Sequence, residues 1–264
     1  MTAAVTYARE GHIGVITLNR PDQRNCMTPE LLDAFATASG AAARDREARC
    51  IVVTGTGAVF SAGAQLDKSG NTKIQRDGND RAPSERSYAM YEPFLSLLDL
   101  DVPVIGALNG HAVGGGFGLA LVCDLRIGAR DAKYGANFVR LGLAPGMAIS
   151  YLLPRIIGLP RASELLYTGR LVTGDQAMHL GILNDAVLPA DVLPRALELA
   201  QQIADAAPLA VRATKAAIRR GLELHVREAA RAEAAAQAET VGSEDATEGI
   251  AALLGKRPPV FKGR

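Results

Sequence analysis

Short apolar runs rich in β-branched residues mark the first half of the chain. Three of them are Ile13–Leu18, Ile51–Thr54 and Val104–Leu108, and each is closed by Asn, Gly or Thr. Runs of this length and composition are typical of buried strands. The first half is therefore predicted to supply the strands of a central sheet.

A helix is predicted between the first two strands. Thr28 is followed by Pro29 and Glu30, which suit the N-cap, the first helical position and the first turn of a helix. Apolar residues then recur at helical spacing up to Ala43. Strand–helix–strand order favours a right-handed crossover between parallel strands, and a similar unit follows Thr54. The pattern predicts an α/β fold of stacked ββα-like units.

The middle of the chain changes composition twice. Ser69–Ser87 is dominated by polar and charged residues, which predicts a functional loop, and a helix is expected from about Ser84 to Leu98. Val102–Cys123 carries no formal charge, but its six glycines, with Asn109 and His111, make a poor membrane-spanning helix. We expect a buried strand, a tight loop and a buried helix there instead.

The second half of the chain is mostly helical in pattern. One more strand is expected over Asp124–Ala129. Prolines and glycines then separate a series of amphipathic segments. The helices are expected at Ala148–Ile157, Arg161–Thr168, Gly174–His179, Asp191–Ala206, Leu209–Leu222 and Val226–Glu239, with a last one opened by Ser243.

Composition limits the classes of partner. The 264 residues include 29 basic and 28 acidic side chains, and this balance argues against a nucleic-acid binder or a protein of anionic membrane surfaces. Met1–Glu10 has neither a basic segment nor an apolar core, so no signal peptide is predicted. Cys26, Cys50 and Cys123 are too few for a disulfide framework and are interpreted as reduced thiols of a cytoplasmic protein.

Most enzymatic signatures do not occur in the sequence. There is no Gly-Lys-Ser/Thr phosphate loop, no Gly-x-Ser-x-Gly elbow and no His-Glu-x-x-His helix. The glycine run Gly114–Gly118 is followed by Leu119, where a dinucleotide fingerprint would need a sixth-position glycine. The four histidines lack the spacing of metal ligands, so no metal site is predicted.

Two glycine-containing segments remain as candidates for chemistry, at residues 60–66 and 109–117. Each places small residues where a strand gives way to a helix, so that backbone N–H groups are unpaired and unshielded. Two such donors converging on one point would make an oxyanion hole for a carbonyl oxygen. The alternative is that the glycines serve only close packing or turns of positive φ.

Several segments, in order along essentially the whole chain, resemble the enoyl-CoA hydratase/isomerase (crotonase) family. The resemblance is carried by Asn19-Arg20-Pro21 with Arg24-Asn25, Phe60–Ala64, Asn109–Gly116 with Cys123-Asp124, Leu141–Leu143 with Pro145-Gly146, Leu166–Gly169, and Lys256-Arg257.

The resemblance implies a fold and a ligand. The fold would be a spiral of repeated ββα units over residues 1–200, followed by a helical region over residues 201–264 that makes homotrimers or dimers of trimers. The ligand would be an acyl-coenzyme A thioester. No separate cofactor is expected, because coenzyme A is itself part of the substrate.

Site residues also follow from the resemblance. By position, the backbone N–H groups of Ala64 and Gly115 would hold the thioester carbonyl as it gains enolate character. Ala62 and Leu66 match positions whose backbone meets the adenine and pantetheine of the coenzyme. Gln65 stands where the family usually has Asp.

Two cations match positions near the phosphates of the coenzyme. These are Arg24, for which an exposed loop cation is the alternative interpretation, and Lys256, which could equally be part of a solvated basic end.

The sequence departs from the family at its acids. The two glutamates of the hydratases would fall at Gly118 and Phe138, and a catalytic Asp of some relatives would fall at Gly146. Loss of a positioned acid or base costs about 10²–10⁴-fold in rate, which disfavours hydration by two carboxylates. Gly118 with Phe138 would leave an apolar, roomier cavity that suits a bulky acyl chain. Other polar candidates near the pocket are Asp67, Tyr88, Tyr91, Glu92, Asn137 and Arg140.

Two hypotheses of different class follow. The first is an enzyme that stabilises a thioester enolate and acts as an isomerase, decarboxylase or thioesterase. The second is a non-catalytic acyl-CoA binding protein that keeps the same donors for recognition.

Overall fold

The structure is a computed structural model that describes residues 3–65, 83–221, 243–255 and 257–264. The strands are β1 Val5–Glu10, β2 Ile13–Leu18, β3 Cys50–Gly55, β4 Val59–Ser61, β5 Val104–Leu108, β6 His111–Val113, β7 Leu125–Ala129, β8 Lys133–Gly135, β9 Val172–Thr173 and β10 Asp185–Val187. The α-helices are α1 Pro29–Arg44, α2 Pro83–Leu95, α3 Gly115–Val122, α4 Ile149–Ile157, α5 Leu159–Thr168, α6 Gly174–Leu180, α7 Val192–Ala204, α8 Pro208–Gly221 and α9 Glu244–Leu254.

The strands form two sheets that the chain visits in turn. A six-stranded sheet has the order β1-β2-β3-β5-β7-β10, antiparallel at β1–β2 and parallel elsewhere. A four-stranded sheet has the order β4-β6-β8-β9, in which β8–β9 is the antiparallel pair. The pairs β3–β4, β5–β6 and β7–β8 each place one strand in the large sheet and the next in the small one. This alternation confirms the predicted spiral of repeated units.

Helices cover the large sheet. The side chain of Thr28 caps α1 by accepting a hydrogen bond from Leu31 N at 3.2 Å, as the sequence predicts. The buried Phe35 of α1 meets Phe94 of α2 edge to face, with ring centroids 4.7 Å apart. Helix α7 packs against β3, β5 and β7, and the predicted domain boundary at residue 200 falls inside it.

The strand predictions succeeded where the apolar runs were long. The predicted strands Ile13–Leu18 and Val104–Leu108 have the observed bounds. Strand β1 was not predicted, because it lies at the sheet edge with mostly exposed side chains and lacks an apolar run. Of the polar loop predicted over Ser69–Ser87, residues 69–82 lie outside the described residues, and α2 begins at Pro83.

Two further predictions concern the helical half. The helix expected at Val226–Glu239 lies outside the described residues. Ser243 opens α9 as expected, because its Oγ accepts a hydrogen bond from Ala246 N at 3.0 Å. Within the described ranges, no helix is long and apolar enough to cross a membrane.

The three cysteines are free thiols, as predicted. Cys50 and Cys123 are buried, and burial raises the pKa of each thiol to about 12. Cys26 is half-buried, and burial raises its pKa as well.

Candidate functional site

Two loops meet where β4 and β6 end. Gly63 follows β4 with a φ of +77°, and a Cβ there would lie 2.7 Å from both Gly115 N and Val113 O. Backbone atoms cannot move aside as a flexible side chain can, so only glycine fits at position 63. The next residue is Ala64, and its peptide therefore lies beside the start of α3 at Gly115.

The first turn of α3 is packed as tightly as the loop beside it. A Cβ at Gly116 would overlap the carbonyl oxygen of Ser61, and a Cβ at Gly115 would overlap the sulfur of Met27. These contacts show that the glycines at 63, 115 and 116 allow close packing, which is compatible with both interpretations. They also bring the Ala64 peptide to the N-terminus of a helix, which is a place of positive potential.

The N–H groups at this junction are free to bind. Met27 N donates to Gly63 O at 2.9 Å, and Gly114 N donates to Gly135 O at 3.0 Å. Within the described parts of the chain, neither the Ala64 N–H nor the Gly115 N–H donates a hydrogen bond. The N-cap residue Gly114 has no side chain that could accept one. The two donors that the sequence singled out are therefore brought together and left unpaired by protein groups.

Asn25 fixes the loop that precedes Ala64. Its side chain is fully buried, accepts a hydrogen bond from Arg20 N at 2.8 Å and donates to Thr56 O and Val59 O at 3.1 and 2.9 Å. Its carbonyl oxygen accepts from Ser61 Oγ at 2.8 Å. Because both polar atoms of this buried amide are hydrogen-bonded, the side chain holds the end of β4 in one position.

Asn109 makes the corresponding link from the second loop. Its Oδ1 accepts from Gly55 N at 3.0 Å, and its Nδ2 donates to Gly57 O at 2.7 Å. Asn25 and Asn109 were predicted only as part of the family resemblance, and their positioning role was not predicted. For Asn109 the available signal was its position directly after the predicted strand Val104–Leu108, since a side-chain amide can satisfy a peptide at a strand end.

A cavity of about 250 Å³ opens beside the two donors. It is lined by Met27, Ala62, Ala64, Ser87, Met90, Tyr91, Val113, Gly114, Gly115, Asn137, Phe138, Leu141, Leu143, Ala144 and Met147. Among the described residues of this lining, the polar side chains belong to Ser87, Tyr91 and Asn137, and all three are uncharged. Among the predicted site residues, Ala62, Ala64, Gly115 and Phe138 line the cavity.

Gly118 does not line the cavity, which corrects the expectation of a roomier pocket at this position. A Cβ at Gly118 would overlap the Cβ of Met147, which is fully buried and has a φ of +57°. The space left by a small residue in α3 is therefore filled by Met147. Gly146 is similar, because a Cβ there would overlap the hydroxyl of Tyr91.

The remaining predicted site residues fall in three groups. Gln65 is half-buried beside Ala64 and lies outside the cavity lining. Arg24 is exposed, and its carbonyl oxygen accepts from Ala62 N at 3.1 Å, so it lies next to a lining residue. Leu66 and Lys256 lie outside the described residues.

The other polar candidates separate in the same way. Tyr91 and Asn137 line the cavity, whereas Tyr88 is 58% exposed and Glu92 is exposed. Arg140 donates to Thr168 O at 2.9 Å and is exposed. Asp67 lies outside the described residues.

Two polar residues of the recognised motifs contribute to the fold. The exposed His111 accepts a hydrogen bond from Lys133 N at 2.8 Å and so ties β6 to β8. Asp124 pairs with Lys215 Nζ at 2.8 Å and Arg219 at 3.3 Å, which anchors α8. Burial lowers the pKa of Lys215, and Asp124 opposes that shift.

Comparisons with known proteins give one consistent result. The family model described as enoyl-CoA hydratase/isomerase matches residues 8–264. YngF of Bacillus subtilis (strain 168) is 38% identical over 254 residues, which are 96% of this chain and 95% of that protein. The 2,3-dehydroadipyl-CoA hydratase of Escherichia coli (strain K12) is 34% identical over 97% of this chain and 98% of its own length. The crystal structure of an enoyl-CoA hydratase from Bacillus anthracis superposes with a TM-score of 0.91 at 31% identity, covering 99% of this chain and all of that one.

Proposed function

This chain belongs to the enoyl-CoA hydratase/isomerase family, and we propose that it transforms acyl-CoA thioesters by stabilising a thioester enolate. The observation that carries the proposal is the close approach of Gly63 to Gly115 N, because Ala64 follows Gly63 and its N–H, like that of Gly115, has no acceptor among the described residues. The activities named for the relatives support the choice of an acyl-CoA substrate.

The chemistry assigned to these donors is electrostatic. The thioester oxygen accepts hydrogen bonds from Ala64 and Gly115, and both bonds strengthen as the oxygen gains negative charge. The N-terminus of α3 adds its positive potential at the same point. Removing one donor of this kind typically costs about 2.7–4 kcal/mol of transition-state stabilisation.

The proposed reaction differs from hydration by two carboxylates. A glycine and a phenylalanine stand at 118 and 138, and neither can move a proton. We assign the chain to the isomerase, decarboxylase or thioesterase type of enolate chemistry. The acyl group would lie in the cavity, against apolar side chains such as Met90, Phe138 and Leu141.

The coenzyme portion is assigned to the rim of the same site. Arg24 and Lys256 would meet its phosphates, while Ala62 and Leu66 would meet its adenine and pantetheine. No cofactor beyond the coenzyme of the substrate is needed for this chemistry. The proposed assembly is a homotrimer or a dimer of trimers.

Binding and turnover are tested with a variant that disturbs only the junction. Gly63→Ala adds a Cβ against backbone atoms at a φ of +77°. The matched control is Gly181→Ala, which has a φ of +84° but open space around the added atom. We expect calorimetry to detect acetyl-CoA binding by the wild type and the control, and binding weakened at least tenfold in Gly63→Ala.

A panel of enoyl-, malonyl- and long-chain acyl-CoA thioesters then separates enzyme from binder. Product formation on any member, followed by mass spectrometry, supports the enzyme. Binding without turnover on every member supports the non-catalytic alternative. Absence of binding by the wild type contradicts both.

A further inference from the structure

Tyr91 is a polar residue of the cavity lining that packs against a glycine from another part of the chain. Tyr91 lies on α2, and its hydroxyl occupies the space that a Cβ at Gly146 would need. The same cavity is lined by Ala64 and Gly115. Tyr91 and the two donor residues therefore line the same cavity.

The hydroxyl of Tyr91 belongs to a half-buried side chain that lines the cavity. It forms no hydrogen bond with any residue in the described parts of the chain. Its neighbours on α2, Met90 and Phe94, are buried in the core, which holds the helix in place against α1 and α3. A polar group on an apolar wall without a protein partner is placed to meet a ligand.

We infer that Tyr91 is a catalytic residue whose hydroxyl protonates the carbon of the thioester enolate. The inference rests on the proposed function, because the enolate must first be held by Ala64 and Gly115. Positioned tyrosines are among the side chains that transfer protons in enzymes. Of the described lining residues, the other two with polar side chains are Ser87, whose hydroxyl is a far weaker acid, and Asn137, which carries an amide.

The chemical character of the lining points to the substrate class. Among the described lining residues the polar side chains are neutral, so a reaction that forms the enolate without abstracting a proton fits them best. Loss of CO₂ from a malonyl-type thioester is such a reaction. The bond between Cα and the carboxyl carbon breaks, its electron pair becomes the enolate, and CO₂ leaves.

The proton balance closes through Tyr91. Its O–H bond breaks as the new Cα–H bond forms, and the phenolate then takes a proton from solvent water. The net change is one malonyl-type thioester and one solvent proton giving the shorter acyl thioester and CO₂. An apolar wall also disfavours the substrate carboxylate relative to neutral CO₂.

The test uses Tyr91→Phe, which keeps the ring against Gly146 and removes only the hydroxyl. Tyr88→Phe is the matched control, since Tyr88 lies on the same helix and is 58% exposed. With 2-methylmalonyl-CoA, we expect CO₂ release by the wild type and by the control. For Tyr91→Phe we expect kcat to fall about 10²- to 10⁴-fold, the usual range for loss of a general acid, with the dissociation constant of propionyl-CoA unchanged.

A second readout separates proton transfer from a packing effect. In D₂O, the wild type should give propionyl-CoA with deuterium on one face of Cα, and Tyr91→Phe should give both faces, because water then protonates the enolate. Gly146→Ala displaces the hydroxyl without removing it and should lower kcat in the same direction.

Two results would overturn the inference while leaving the proposed function intact. One is a Tyr91→Phe enzyme as active as the Tyr88→Phe control. The other is thioester turnover by the wild type without CO₂ release from any malonyl-type substrate. Failure to bind propionyl-CoA at all would instead contradict the proposed function itself.

Discussion

At the scale of single residues, the site depends on which side chain fills each small space. Gly118 and Gly146 are the positions at which the resemblance implies acids, and the space beside each is occupied. Met147 covers Gly118, and the Tyr91 hydroxyl covers Gly146. Met147 has a φ of +57°, a conformation that costs a non-glycine residue free energy, so the surrounding structure must hold it there.

The contact between Gly118 and Met147 predicts both the sign and the size of a change in the free energy of unfolding. Gly118→Ala alone should lower the free energy of unfolding by about 1–3 kcal/mol, because the new Cβ overlaps Met147. In a Met147→Gly background the same substitution should raise it by about 0.5–1 kcal/mol, because alanine favours the helix over glycine. Urea unfolding of the two single variants and the double variant measures the coupling. Equal effects in both backgrounds would contradict the assigned contact.

These residues also show which parts of the site could be predicted. Ala64 and Gly115 act through backbone atoms, so the small residues around them were a usable signal in the sequence. The filling of Gly118 by Met147, and of Gly146 by Tyr91, could not be predicted. Each depends on how separate elements pack, and neither glycine carries local information about its neighbour.

At the scale of elements, the length of a strand and the burial of its side chains decide whether the sequence predicts it. The four inner strands of the large sheet, β2, β3, β5 and β7, are runs of five or six residues with buried side chains, and this pattern identifies them. The strands of the small sheet have two or three residues, too few for a periodicity, and they exist because each pairs with the one before it. The small sheet nevertheless carries both donor loops, so the elements that position the site are those least visible in the sequence.

Helix α1 gives the prediction at this scale. Thr28→Ala removes the oxygen that accepts from Leu31 N, and should lower the free energy of unfolding by about 1 kcal/mol. Thr28→Ser keeps that oxygen and should cost only a few tenths of that amount. Thermal and chemical unfolding of both variants test the cap. An equal loss of unfolding free energy in the two variants would show that the threonine methyl group, and not the hydroxyl oxygen, stabilises the helix.

At the scale of the whole molecule, the residues after α9 fold back along that helix. The buried Asp245 accepts from Lys262 N at 2.6 Å and from Gly263 N at 2.8 Å. Glu248 binds Arg257 through both carboxylate oxygens, at 2.6 and 2.8 Å. Two carboxylates of one helix therefore hold the segment that follows it.

The attachment at Glu248 should respond to acid. The Arg257 guanidinium, followed by the N–H of Val260, lowers the pKa of Glu248 from 4.5 to about 2. A lowered carboxyl pKa stabilises the folded state above the ordinary value, and that contribution is lost as pH falls towards the folded value. Hydrogen exchange at Val260 N should therefore stay protected down to about pH 4.5 and lose protection between that pH and about 2.

Glu248→Gln should weaken the same protection already at neutral pH. Glu244→Gln is the control, because Glu244 lies on the same helix and binds Arg264 instead. Unchanged protection at Val260 in Glu248→Gln would contradict the assigned role.

Arg49 joins distant parts of the chain, and this has a consequence for synthesis. Its guanidinium donates to Ala204 O at 3.1 Å and to Phe261 O at 3.0 Å, residues that follow it by 155 and 212 positions. At about 5–20 residues per second, a ribosome needs roughly 10–40 s to add the second acceptor after Arg49 itself. During that interval Arg49, which directly precedes the inner strand β3, lacks the acceptor at Phe261. The nascent chain can thus assemble its first strands early, but it closes this last link only when translation has passed Phe261.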